Sequence, residues 1–238
     1  PYHVPPPGQG ADYAGYPMLE EEQAMAMFDD AYARGWQVIN HVNGDAAIDQ
    51  MIRAARAATE KYGPADRRTV GIHSQTIRPD QLDAYAELGI IPSFFGMHTF
   101  YWGDWHRESV LGPERAAFIS PARAALDRGL RYTEHHDAPV ALPSSIMILA
   151  TQVNRTTRSG QVLGPDQRVS PMDAIRSTTI NAAYQYFEED RKGSIEPGKL
   201  ADLVILDANP LEVPPEELFD LEVVETIKEG RTVYRRDE

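Results

Sequence analysis

The sequence contains no cysteine. Disulfides and thiolate metal sites are thereby excluded, and any metal must be held by nitrogen and oxygen donors. Basic residues are few: 23 Lys and Arg stand against 36 Asp and Glu, for a formal net charge of −13. With no concentrated basic stretch, the chain is not expected to bind nucleic acid or an anionic membrane surface. No apolar run approaches the roughly 18 residues that a bilayer-spanning helix needs, and no charged-then-apolar leader opens the chain. The expectation is a soluble, cytoplasmic protein. A starting methionine is lacking too. The chain opens on Pro1, which fits a trimmed or partial polypeptide.

What is present is enough for a core. A hydrophobic content of 42% over 238 residues suits one large domain, or one domain with a small appendage. After an irregular Pro-, Gly- and Tyr-rich opening, residues 17–34 carry a helical pattern that Gly35 stops. A strand is expected at 36–40, then a helix from Asp45 to Tyr62 with Asp45 as its cap, closed by Gly63-Pro64. The cycle repeats with a strand at 69–72 and a helix that Arg78-Pro79-Asp80 starts and Gly89 ends. A third strand is expected at 90–95, followed by a long loop, then a short helix from Pro121, and a fourth strand at 130–133. Helices at 144–154 and 171–187 follow, the second capped by Ser170. The acidic run at 20–22 suits a helix N-terminus, and the arginine pairs at 67–68 and 235–236 read as solvated surface.

From Gly193 the texture changes to short strand-like runs at Ile195, 200–206, 223–228 and 232–234, with Glu229-Gly230 as a hairpin turn. Strand-helix alternation implies a parallel sheet with right-handed crossovers. Four strand-helix units are counted, whereas a closed eight-stranded barrel needs twice that and typically about 250 residues before any appendage. Half a barrel or an open sheet is expected over residues 1–192, with a small β segment over 193–238.

Candidate chemistry gathers at the ends of the strands. His41 ends the first, His73 the second, and Asp137 follows the fourth within Thr133-Glu134-His135-His136-Asp137-Ala138-Pro139. In parallel α/β proteins, strand C-termini open into the ligand-binding face. His41 and His73 are about one strand-helix unit apart, and Asp137 lies about two further on, at roughly 30 residues per unit. Read together they form a divalent-metal site, zinc or a neighbouring ion, with Asp137 doubling as a general base toward a metal-activated water. Read singly, each histidine could be a surface group and Asp137 a turn cap. His135 and His136 are given no main role. The long loop brings His98, Trp102 and His106 forward as a substrate wall, or as aromatic cover for the rim.

These segments resemble the amidohydrolase superfamily, in its family-3 branch of YtcJ-like metal-dependent hydrolases and N-substituted formamide deformylases. The resemblance is carried by Asn40-His41-Val42-Asn43-Gly44-Asp45, Ile72-His73-Ser74-Gln75, Tyr101-Trp102-Gly103-Asp104-Trp105 and His136-Asp137-Ala138-Pro139-Val140. It continues in Gly193-Ser194-Ile195-Glu196-Pro197-Gly198-Lys199-Leu200-Ala201-Asp202-Leu203-Val204 and in the ending Ile227-Lys228-Glu229-Gly230-Arg231-Thr232-Val233-Tyr234. It implies the C-terminal half of a TIM-type (β/α)8 barrel, its fifth to eighth units, plus part of a β-sandwich. His41 would be the ligand after the fifth strand, His73 after the sixth, and Asp137 ligand and proton shuttle after the eighth. His98 would meet substrate. The family's His-x-His pair and bridging Lys or Glu have no counterpart in this sequence. The implied activity is hydrolysis of amide-type, non-peptide C–N bonds of a small molecule with a divalent ion, most simply Zn2+. Ester or lactone hydrolysis would use the same site. The other expectation is a non-catalytic half-barrel that folds by homo-oligomerisation or with a complementing N-terminal half.

Overall fold

The computed structural model describes residues 1–237. In chain order its main elements are α1 (Glu21–Ala33), β1 (Ile39–Val42), α2 (Asp45–Tyr62), β2 (Val70–His73), α3 (Pro79–Leu88) and β3 (Ile91–Phe94). They continue as α4 (Met97–Trp105), α5 (Gly112–Ala117), α6 (Ala122–Asp127), β4 (Thr133–Glu134), α7 (Ser145–Asn154), α8 (Pro171–Thr178) and α9 (Ile180–Gln185). The chain closes with β5 (Leu203–Leu206), β6 (Val223–Lys228) and β7 (Arg231–Arg235).

Strands β1 to β4 form one parallel sheet in sequence order, and β5 to β7 a separate antiparallel sheet. The parallel register sets Val42 beside His73 and Phe94 beside Glu134, so the C-terminal ends of all four strands finish on one edge of the sheet. Helices cover it because their apolar residues recur at helical spacing. In α2, Ile48, Met51, Ile52, Ala55 and Ala58 are buried, while Arg53 faces outward and bonds Glu21 of α1 at 2.7 Å. The core joins these residues to Phe28, Leu82, Tyr85, Phe94, Tyr132 and Leu149. No described helix is long and apolar enough to cross a membrane.

Several expectations are corrected. The expected loop after β3 is helical: α4 runs into a π-helical turn (His106–Val110) and then α5. The first strand starts at Ile39, not at 36. The fourth is only Thr133–Glu134, since residues 130–132 lie outside the ladder. The helix expected over 171–187 breaks at Thr179, whose φ of −121° and ψ of −95° are not helical. Ile195 is not in a strand and is 89% exposed. Asp45 is not the cap of α2, a place taken by Gly44; its carboxylate lies 3.6 Å from Arg78. Arg68 is not a solvated surface residue. Its guanidinium is packed on the rings of Tyr184 and Phe187 and paired with Glu189 at 2.8 Å. The Ser170 cap holds, with its hydroxyl accepting from the Asp173 amide at 3.1 Å, and Glu229-Gly230 does turn β6 into β7.

Candidate metal centre

The strand ends bring four of the chain's histidines and one aspartate to a single mouth. His41 is exposed near the end of β1. His73 ends β2 and is buried. Beyond β4, the amide of His135 still donates to Phe94 O at 3.0 Å, so the ladder carries His135 two residues before Asp137. The left-handed turn at Asp137 follows, and a donor atom of each residue ends in the same group with His73. His98 comes from the first turn of α4, one strand over.

Their rings pack edge to face. His73 lies 4.6 Å from His41, 4.9 Å from His135 and 6.0 Å from His98, centroid to centroid. Nε2 of His73 sits 3.9 Å from Oδ2 of Asp137. One donor atom from each of His73, His135 and Asp137 lies within 4.8 Å of the other two. Zinc–nitrogen and zinc–oxygen bonds of about 2.0–2.2 Å place two donors at most about 4.4 Å apart, so only small closing movements are needed.

Backbone strain marks the same spot. His73, Ser74 and Asp137 have φ of +69°, +42° and +56°. The left-handed region costs a residue with a Cβ, and it persists where surrounding structure over-determines it, often at functional sites.

The imidazoles of His73, His98 and His135 are held neutral. Burial, then the neighbouring His41, lowers the pKa of His73 against the pull of Asp137. Burial pushes His135 down to about 4, and burial with His106 and His73 pushes His98 down to about 3. Neutral imidazole is the form that binds a metal. The ring atoms His73 Nδ1, His135 Nε2 and both nitrogens of His98 are buried without a protein partner. Orphaned donors and acceptors of this kind are rare unless a ligand, ion or water completes them. The donor set therefore fits a divalent cation.

Of the residues singled out in the sequence, the structure brings His73 and Asp137 within ligating reach of one ion, while His41 and His98 pack their rings against His73 but stand outside that donor group. Trp102 stands behind them, 5.4 Å from the ring of His98 and 6.1 Å from Phe95. His106 lies one ring deeper, 5.5 Å from His98, with Nε2 3.0 Å from Gln75 Nε2. His135 and Ser93 were missed. The one sequence signal for His135 was its two-residue spacing from Asp137, and Ser93 had none.

A second carboxylate backs the mouth without entering it. Glu134 is buried, and its Oε2 accepts from the Gly96 amide at 2.8 Å, at the start of α4. Gly96 has little room for more: a Cβ there would meet that oxygen at 3.0 Å.

His106 gives a pH dependence. Burial pushes its pKa down to about 4 from 6.5, so on acidification the unfolded chain takes up the proton first. Its contribution to stability is complete above pH 6.5 and is lost as pH falls toward 4. A shift of that size is worth about 3 kcal/mol. Urea midpoints of the metal-free protein at pH 7 and 4.5 should fall more for the native chain than for His106→Gln. Equal losses would remove His106 as the cause.

A parallel α/β sheet with imidazole and carboxylate donors converging at its strand ends defines a class of metal-handling α/β proteins. A family profile described as "Amidohydrolase family" matches residues 2–234, and the chain belongs to that metal-dependent hydrolase family. It is 32% identical over 200 residues to the N-substituted formamide deformylase of Arthrobacter pascens, covering 82% of this chain and 36% of that one. It is 30% identical over 197 residues to the protein LONG AFTER FAR-RED 3 of Arabidopsis thaliana, covering 82% and 34%. Among solved structures, an uncharacterized metal-dependent hydrolase from Pyrococcus horikoshii OT3 aligns with a TM-score of 0.72 at 25% identity. That alignment covers 86% of this chain and 40% of the other. The chain thus spans about a third of the length of these curated relatives.

Proposed function

We propose that the mouth at the ends of β1, β2 and β4 is the active site of a metal-dependent hydrolase acting on amide-type, non-peptide C–N bonds. His41, His73 and Asp137 would hold the divalent ion, most simply Zn2+. The observation that carries this reading is the convergence of neutral imidazoles on Asp137, with His73 and Asp137 both in left-handed backbone. When bound, such an ion polarises a carbonyl and acidifies a water. The remaining work falls to this chain. Asp137, one third exposed, reaches the mouth and can take the proton of the attacking water on a carboxylate oxygen. It then returns that proton to the leaving nitrogen as the C–N bond breaks. His98 offers a ring N–H to the substrate carbonyl, with Trp102 and His106 forming the wall behind it.

The architecture behind this proposal is the fifth to eighth units of a (β/α)8 barrel over residues 1–192, with a β-sandwich segment over 193–238. Among the described residues nothing pairs with the outer edge of β1, where Ile39 is 48% exposed. An open strand edge is a template for another strand. A second copy, or a complementing segment that supplies further strands, is proposed to cover it, and turnover is assigned to that assembly.

The deciding measurement is metal content and metal-dependent hydrolysis of neutral amides. Chelation should abolish turnover and added Zn2+ restore it. A folded protein that takes up no divalent ion on titration would sink the reading.

A further inference from the structure

We propose that His135 is itself a ligand of the ion, through Nε2, and that Ser93 is the positioning residue that sets its tautomer. This rests on the metal-site reading above and adds to it a donor and a positioning residue that the sequence did not single out.

Three observations carry it. The first is proximity: the group whose donor atoms all lie within 4.8 Å of one another is His73, His135 and Asp137. The second is the state of the two ring nitrogens. Nδ1 of His135 lies 3.2 Å from Oγ of Ser93, whereas Nε2 is buried and without a partner. A neutral imidazole has one N–H and one lone pair. With Nδ1–H donated to the serine oxygen, the lone pair stands on Nε2. Metal-ligating histidines are oriented in this way by an oxygen on the far nitrogen. The third is rigidity. The ring stacks on Phe95 at 5.6 Å with 26° between planes, and the His135 amide is tied to Phe94 O at 3.0 Å. Ser93 is 3% exposed on β3 and cannot turn away to water.

A histidine merely packed in a core would be expected to have both ring nitrogens satisfied. His135 has one nitrogen partnered and the other buried without a partner, and it stands within ligating reach of His73 and Asp137.

The test uses Co2+ as probe, titrated into the metal-free full chain and followed by its visible absorption. Variants His135→Gln, Ser93→Ala and Ser93→Thr are compared, with circular dichroism reporting the fold. His135→Gln should weaken Co2+ binding about a hundredfold and change the spectrum, at or beyond the 10–100-fold typical of losing an outer-shell partner. Ser93→Ala should weaken it about tenfold, and Ser93→Thr, which keeps the hydroxyl, should restore it. Native binding that survives in His135→Gln with the same affinity and spectrum overturns this proposal and leaves the metal site standing. No Co2+ binding by the native chain overturns both. If His135→Gln does not fold, Ser93→Ala decides: an unchanged affinity and spectrum there counts against the proposal.

Discussion

Asp137→Asn is expected to lower turnover in the assembled enzyme by about 10²–10⁴-fold, the range that a positioned proton-transfer group supplies. The substitution is nearly isosteric and keeps an oxygen donor, so most of the bound metal should remain. Asparagine is also among the residues that tolerate a left-handed backbone, and Asp137 has φ of +56°. The backbone should therefore stay in place, and what disappears is the carboxylate that accepts a proton. Measuring kcat beside metal content separates the two effects. Turnover within about fivefold of native, against the 10²–10⁴ expected for proton transfer, would remove Asp137 from the chemistry.

Arg155→Met should be the most destabilising single change in the body of the protein, at about 3–5 kcal/mol. Arg155 is 3% exposed, in left-handed backbone at the end of α7. Its guanidinium donates to the carbonyls of Leu163 at 2.7 Å, Ile119 at 2.8 Å and Ser120 at 3.2 Å. Methionine fills much of the volume but leaves the carbonyls of Leu163 and Ile119 without a donor, since Ser120 O still accepts from the Ala122 amide at 2.9 Å. It also removes the positive charge that favours ionised Glu134. Burial has already pushed Glu134 up to about 8 from 4.5. A raised carboxyl pKa means that Glu134 stabilises the fold fully below pH 4.5 and loses that contribution as pH rises through about 8. Urea midpoints should therefore show the Arg155→Met deficit growing between pH 6 and 9. A deficit independent of pH would leave only the lost carbonyl bonds as its cause.

His106 and Glu134 tilt the stability curve in opposite directions. The histidine weakens the fold in acid, the carboxyl weakens it in mild alkali, and both slopes come from burial.

Much of the frame was legible in the chain. The glycines after α1, α2 and α3, the Ser170 cap and the Glu229-Gly230 turn are local signals, and local signals survive folding. The ends of β1 and β2 were readable because a polar His directly follows a strand-forming run. Other features depended on residues far away in sequence. Aromatic residues stud α4 on every side, so it shows no single apolar stripe and reads as a loop. Arg68 looks solvated until Tyr184, Phe187 and Glu189 close over it. His135 and His136 are indistinguishable as neighbours in a sequence. They separate only when Ser93, on another strand, bonds one of them.

The bond between Glu134 and the Gly96 amide has a consequence for how a substrate would be received. Glu134 immediately precedes the residues that converge on the mouth, and Gly96 begins the helix that carries His98 and Trp102. The strand end that leads to His135 and Asp137 is therefore tied directly to the helix that forms the wall. A buried bond of this kind leaves less ordering of those two elements to be done when anything enters the mouth.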